Sequence, residues 1–302
     1  MKRSFLSVVA LLCAAAGSYA CDMCGGGSGS QYIGLLPAFN RNFAGIQYFS
    51  TCNTNCLPGN NAVTDPESKV TDRFNTIQIW GRHSIGKRYM LFAFIPYQYN
   101  VHYEGSNRSV LNGPGDATIM VNRLIVKPAE NEWKHTVFGG LGVKLPTGTK
   151  NTDDQSASSP NSPGTGTTDL ITNSNYTLQH GNSGINADAT FTFTTPRKDN
   201  YKYGNKLSAG ITGFYRFKRG AIGIAPQIGC RYEYAAMDNY NYQKDWYNTS
   251  SGGHVLSLTS GLFVSFKKTG LRASCQLPVH QFYAGGTMLV HYKLETGFFF
   301  LF

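Results

Sequence analysis

The residues of this 302-residue chain best suited to chemistry are its cysteines and the polar groups that recur at every second position. Cys21 and Cys24 form a Cys-x-x-Cys pair that runs into Gly25, Gly26 and Gly27. Such a pair can ligate a soft metal, exchange thiols or close a local disulfide. A thioredoxin-type site needs the pair at a helix start beside a βαβ unit, and the segment CDMCGGGSGSQY offers none. A four-ligand zinc site needs two more ligands. Cys52 and Cys56 could supply them, but that second pair reads more simply as a loop disulfide. Cys21 and Cys24 are therefore the candidate metal ligands or partner contacts, and no other cofactor is expected. Cys230 and Cys275 lie in alternating apolar runs and read as inert thiols turned toward lipid.

The polar groups follow a period of two. From Tyr89 to Tyr103 one face carries Tyr89, Leu91, Ile95, Tyr97, Tyr99 and Tyr103, and the other carries Gln98, Asn100 and His102. The same rule applied along the chain collects Arg216, Gln227, Arg231, Glu233, Arg272, Gln276, His291, Lys293 and Glu295 on polar faces, with Lys134, Lys144, Asp188 and Lys267 beside them. If strands with these faces close on themselves, the groups line a lumen. Arg231, Glu233, Lys293 and Glu295 could pair across that interior and seal it. In an open lumen the excess of basic over acidic side chains favours anionic solutes.

The elements that position these residues are strands. Alternation is clear at 89–103, 133–145, 185–195, 207–217, 222–234, 256–266 and 288–302, and weaker at 43–50, 70–82, 116–127 and 270–277. That gives eleven segments. Single-chain bacterial barrels have an even count, so the reading is an all-β, antiparallel up-and-down transmembrane β-barrel of about 12 strands. Long connections are expected at 51–68, 105–114, 147–184 and 235–253, and short turns at Lys218-Arg219-Gly220 and 267–270. No helical period is sustained after the first residues.

The ends of the chain carry sorting information. Lys2 and Arg3, the apolar run from Phe5 to Ala16 and the small-x-small site Ser18-Tyr19-Ala20 form a signal peptide over 1–20. Cys21 at the cut also admits lipidation, although the usual Leu at −3 is lacking. Residues 21–42 form a Gly/Ser-rich leader and 43–302 the barrel. The alternating terminal strand, ending in Phe302, is of the kind read by the barrel-assembly machinery. Gram-negative outer membrane is the expected location, with outer-membrane lipid and lipopolysaccharide as contacts.

Composition agrees with this. Hydrophobic residues make up only 41%, as when alternate residues alone meet lipid, while 18 Tyr and 19 Phe are enough for two aromatic girdles. The net charge of +10 is spread along strands and turns, which argues against nucleic acid as a partner. Neither G-x-S-x-G nor H-E-x-x-H occurs, and GVKLPTGTK at 142–150 departs from a phosphate loop in spacing.

Several stretches resemble outer-membrane barrel transporters: GLLPAFNRNFAGIQY (34–48), GDATIMVNRLIV (115–126), GGLGVKLPTGT (139–149), LQHGNSGINADATFTFT (178–194) and the terminal strand. The chain is loosely similar to barrels of the meta-pathway phenol-degradation type, and its Cys-x-x-Cys-Gly leader resembles a Bacteroidetes-type variant. The resemblance implies a barrel and solute passage, and carries over no binding residue. The first expectation is thus a channel or transporter for small hydrophobic or anionic solutes. The alternative is a structural or partner-binding barrel whose Cys21/Cys24 leader binds a metal or an envelope protein. An outer-membrane enzyme ranks last, for want of a catalytic constellation.

Overall fold

An extended chain points successive side chains to opposite sides, so an apolar/polar alternation fixes which side of the wall is outside. A computed structural model shows this over residues 42–56, 69–128, 132–149, 162–249 and 251–302. The expected signal peptide over 1–20 and the expected leader with Cys21 and Cys24 lie outside these residues. The strands are β1 (Phe43–Cys56), β2 (Lys69–Ile85), β3 (Tyr89–Glu104), β4 (Asn107–Pro114), β5 (Thr118–Val126), β6 (Trp133–Lys144), β7 (Asp169–His180) and β8 (Ser183–Phe193). They continue as β9 (Lys206–Tyr215), β10 (Phe217–Arg219), β11 (Ile222–Ala235), β14 (Gly253–Phe266), β15 (Thr269–Tyr283) and β16 (Met288–Leu301). A small ribbon, β12 (Asn239–Asn241) with β13 (Trp246–Tyr247), stands apart in the β11–β14 connection.

Each wall strand pairs antiparallel with its neighbours, and β1 pairs β16 from Phe43↔Leu301 to Asn55↔Met288. β4 and β5 both pair with β3, and β9 and β10 both pair with β11, so each couple is one wall strand with a break. The result is a closed antiparallel barrel of 12 strands. Closure leaves no unpaired edge, the condition under which strands can cross a bilayer. Gly86, Gly181 and Gly220 hold positive φ in the tight turns at one end, where the left-handed conformation favours glycine. The long connections lie at the other end.

The outer face is apolar. Ile77, Ile95, Leu141, Ile211, Ile228, Leu258 and Leu271 are all more than half exposed to the surroundings, an arrangement suited to lipid and costly in water. Inside, two apolar clusters fill part of the lumen. Phe43, Trp80, Phe92, Phe94, Met120, Phe138, Phe263 and Phe299 pack toward the short-turn end, and Phe74, Val255, Tyr283, Met288 and Val290 toward the long-loop end.

The structure corrects four expectations. The span 147–184 is not one connection: its second half is β7, the twelfth strand that the alternation did not reveal. The span 105–114 is not a loop but β4, which forms a hairpin with β3. Cys52 and Cys56 lie in one extended strand, and four residues at about 3.3 Å each hold them about 13 Å apart, beyond disulfide reach. Cys52 is a buried free thiol. The terminal strand does not keep one phase. Its register against β1 jumps from Cys52↔Tyr292 to Asn53↔Val290, leaving His291 as the extra residue of a bulge. Met288 and Val290 consequently point inward, and His291 lies on the outer face with Nε2 2.7 Å from Thr54 Oγ1, not in the lumen. Cys230 and Cys275 are free thiols at outward positions on strands separated by β14.

One seam is stitched by a side chain. Pairing of β15 with β16 lapses between Gln276↔Lys293 and Tyr283↔Met288. Within the lapse the Gln281 carboxamide accepts from Val290 N at 2.8 Å and donates to Val290 O at 3.1 Å, replacing two ladder bonds. Gln281→Leu removes both and leaves buried backbone groups unsatisfied, so a loss of about 1–3 kcal/mol is expected. Hydrogen exchange should show it first at 289–292; unchanged exchange there would contradict the role given to Gln281.

Candidate functional site: the lumen and its basic vestibule

Inward-facing positions divide the lumen into two sectors of different chemistry. The sector built by β1 to β7, with Asn186 of β8, carries carboxamides. Gln78 Nε2 donates to Gln47 Oε1 at 3.2 Å, and Asn100 Nδ2 to Gln98 Oε1 at 3.2 Å. Asn175 and Asn186 exchange bonds of 3.2 and 3.0 Å. Asn122 and Asn173 flank Gly140 in register, and their Oδ1 atoms occupy the space where any side chain at 140 would begin. Glycine is needed there so that both amides can fold over β6.

The sector from β8 to β16 carries charges in matched pairs. Arg231 Nη2 is 2.9 Å from both Asp188 oxygens, and its Nη1 donates to Ser208 at 2.8 Å. Lys293 Nζ reaches Glu233 at 2.6 Å, and Arg272 reaches Glu295 at 3.3 Å. Nearer the long loops His102 Nδ1 is 2.6 Å from Asp72. Burial demands this pairing, because an isolated charge in a low-dielectric interior is far costlier than a paired one. Gln98, Asn100, Arg231, Glu233, Arg272, Gln276 and Glu295 are thus buried on inward faces, and Lys293, Gln227 and Arg216 are partly so.

A third arrangement binds the wall to its longest connection. Lys144 Nζ sits 2.6 Å from Asp169 and 3.9 Å from Asp116, and donates to Thr165 Oγ1 at 2.9 Å. Asp116 accepts from Gly148 N, Thr165 N and Thr165 Oγ1 at 2.6–2.9 Å. Lys144, Asp116, Asp169, Thr165 and Thr167 are all buried.

Cationic side chains gather at the short-turn end. A cavity of about 880 Å³ opens there, lined by Arg82, Lys87, Arg88, Lys127, Lys134 and Arg216 and, among the described residues, by no Asp or Glu side chain. Met90, Leu124, Phe138 and Phe302 give it apolar surface. A neighbouring cavity of about 470 Å³ adds Lys218 and Lys267, with Arg272, already paired with Glu295, at its inner side, and no Asp or Glu side chain among its described lining, beside Phe217, Phe263 and Leu301. Arg82 lies over the Phe43 ring at 5.4 Å and Arg216 over Phe214 at 4.9 Å, so cations and aromatic faces alternate. Clefts of one charge sign with low-dielectric walls raise the local concentration of opposite ions.

The sequence singled out most of the ion-paired residues but not Gln47, Asp72, Gln78, Arg82, Asp116, Asn122, Asp169 or Asn175. Extending the inward parity of the weaker strands would have reached Gln47, Gln78, Arg82 and Asn122. No signal marked β7, so Asp169 and Asn175 were beyond reach.

No protein-family model matches the chain, and no curated protein matches it. Solved structures do. The COG4313 outer membrane channel from Pseudomonas putida F1 superposes with a TM-score of 0.64 at 13% identity, over 87% of this chain and 96% of that one. The beta domain of the Bordetella autotransporter BrkA superposes with a TM-score of 0.51 at 11% identity, over 87% and 100%. At such identities the likeness is one of fold, and the fold shared is that of outer-membrane barrels.

Proposed function

We propose that this protein is an outer-membrane channel or transporter of a Gram-negative envelope that passes small hydrophobic or anionic solutes. The observation that carries the reading is the cavity at the short-turn end, with six cationic side chains, apolar walls and, among the described residues, no Asp or Glu side chain. Short turns of such barrels face the periplasm, so this end is the exit vestibule for inward passage. A solute with an apolar body and a negative group suits both parts of it. The paired charges of the β8–β16 sector contribute little net charge, so selectivity arises at the vestibule and not at mid-lumen.

The test is electrical and chemical together. In planar bilayers under a potassium chloride gradient, the reversal potential should report a preference for chloride. Liposomes carrying the protein should take up an aromatic carboxylate faster than an amine of equal size. Silence in both assays would sink the channel reading. Cation preference would reject the anion assignment alone.

A further inference from the structure

The outer face carries a cationic feature that no solute path uses. Arg73 of β2 and Arg108 of β4 are exposed at outward positions and converge on tyrosines of β3. The Arg73 guanidinium lies 6.0 Å from the Tyr103 ring centroid. Arg108 Nη2 donates to the Tyr99 hydroxyl at 3.1 Å, and Arg108 also hydrogen-bonds the Tyr103 side chain. Among the described residues, no outward position of β2, β3 or β4 holds Asp or Glu. Two guanidiniums are therefore held at one tyrosine with no carboxylate at the outward positions of these three strands among the described residues.

Their height on the wall identifies what they meet. Outward along β3 come Tyr89, Leu91, Ala93, Ile95, Tyr97 and Tyr99, an apolar stretch bounded by tyrosines. Ten residues at about 3.3 Å each, tilted by about 40°, rise about 25 Å, the height of the apolar band of such barrels. Tyr89 and Tyr99 thus mark the two interfaces. Arg73, Tyr103 and Arg108 stand just above the upper one, on the long-loop side, at the level of lipid headgroups.

We infer that Arg73, Arg108, Tyr99 and Tyr103 form a clamp for a phosphate group of outer-leaflet lipopolysaccharide. A phosphate monoester offers several acceptor oxygens and up to two negative charges. Guanidiniums bind such oxygens bidentately, and the tyrosine hydroxyls add donors while their rings rest against the first carbons of the acyl region. The inference rests on the outer-membrane placement proposed above, which puts the long loops outside.

The test uses the full-length protein and its Arg73→Gln/Arg108→Gln variant in detergent micelles, with three probes: bisphosphorylated lipid A, the same lipid with phosphates removed, and inorganic phosphate. Native mass spectrometry and thermal shift read binding. Expected is retention of phosphorylated lipid A by the wild type, at least tenfold weaker in the variant, with little binding of the dephosphorylated lipid. Equal retention by both proteins, or equal binding of the dephosphorylated lipid, overturns the clamp. Stabilisation by inorganic phosphate as strong as by lipid A overturns the lipid assignment in favour of a free-anion site. Conductance of the same preparations reports the channel reading separately, so a clamp that fails in a conducting protein rejects the clamp alone.

Discussion

Lys144→Met is expected to lower the unfolding free energy of the barrel by about 3–5 kcal/mol, the cost typical of removing one partner from a buried ion cluster. The ammonium group is the common neighbour of Asp169 at 2.6 Å and Asp116 at 3.9 Å, and all three side chains are almost fully withdrawn from solvent. Without it, two carboxylates remain buried near one another with no cation between them. The variant also loses the bond from Lys144 to Thr165 Oγ1, while Asp116 keeps its bonds from Gly148 N and Thr165 N and is left an anion held by the loop alone. Denaturant titration in micelles, followed by the mobility difference between folded and unfolded barrel on gels, measures the change. Replacing Lys144 and Asp169 together by apolar residues of similar size, with Asp116 kept on its bonds from Gly148 and Thr165, should recover part of the loss, since the penalty lies in the unpaired charges. A single variant as stable as wild type would show that the cluster does not carry the anchoring assigned to it.

The second large effect concerns selectivity. Arg88→Glu, Lys127→Glu and Lys134→Glu together should invert the ion preference, from several-fold for chloride to several-fold for potassium. All three are exposed, so stability should be nearly unchanged, as exposed charges contribute little to folding. Three reversals nevertheless shift the charge of one cavity by six units. The effect should be greatest near 10 mM salt, where screening extends over about 30 Å, and should shrink toward 0.15 M, where it falls to about 8 Å. Reversal potentials at both concentrations test this. An unchanged preference at low salt would place the selectivity determinant elsewhere in the lumen.

Much of the wall was legible because lipid outside and packed polar groups inside force a period of two. β3 shows it plainly, with tyrosines and Ile95 outward and Gln98 and Asn100 inward. β7 shows why the rule can fail. Its outward positions are Leu170, Thr172, Ser174, Tyr176 and Leu178, and its inward ones include Ile171, so the two faces hardly differ. Pairing with β6 and β8 along its whole length specifies it instead, and pairing partners cannot be read from one segment. β4 is short and polar and is a strand only because β3 extends alongside it. Bulges are the other blind spot. One extra residue at 291 exchanges the faces of Met288 and Val290 with those of Leu289 and His291, while the composition of the segment stays strand-like throughout. Several ionic residues of the lumen, Arg231, Glu233, Arg272, Lys293 and Glu295 among them, could be named from parity alone. Their sorting into ion pairs within and a cluster of cations at the mouth could not, because it depends on which strands lie side by side.

The pairing of β1 with β16 has a consequence for how the molecule is made. Phe43 finds its partner at Leu301, so the contact that closes the ring joins the first wall strand to the last. Contacts of such sequence separation form slowly, because the intervening chain must be ordered before they return any stability. Each earlier hairpin can form locally, yet every intermediate that precedes closure exposes two open strand edges and an apolar face. Ring closure is therefore the last step the topology permits, and the strand at the far end of the wall, β16, acts as the latch that hides both edges at once.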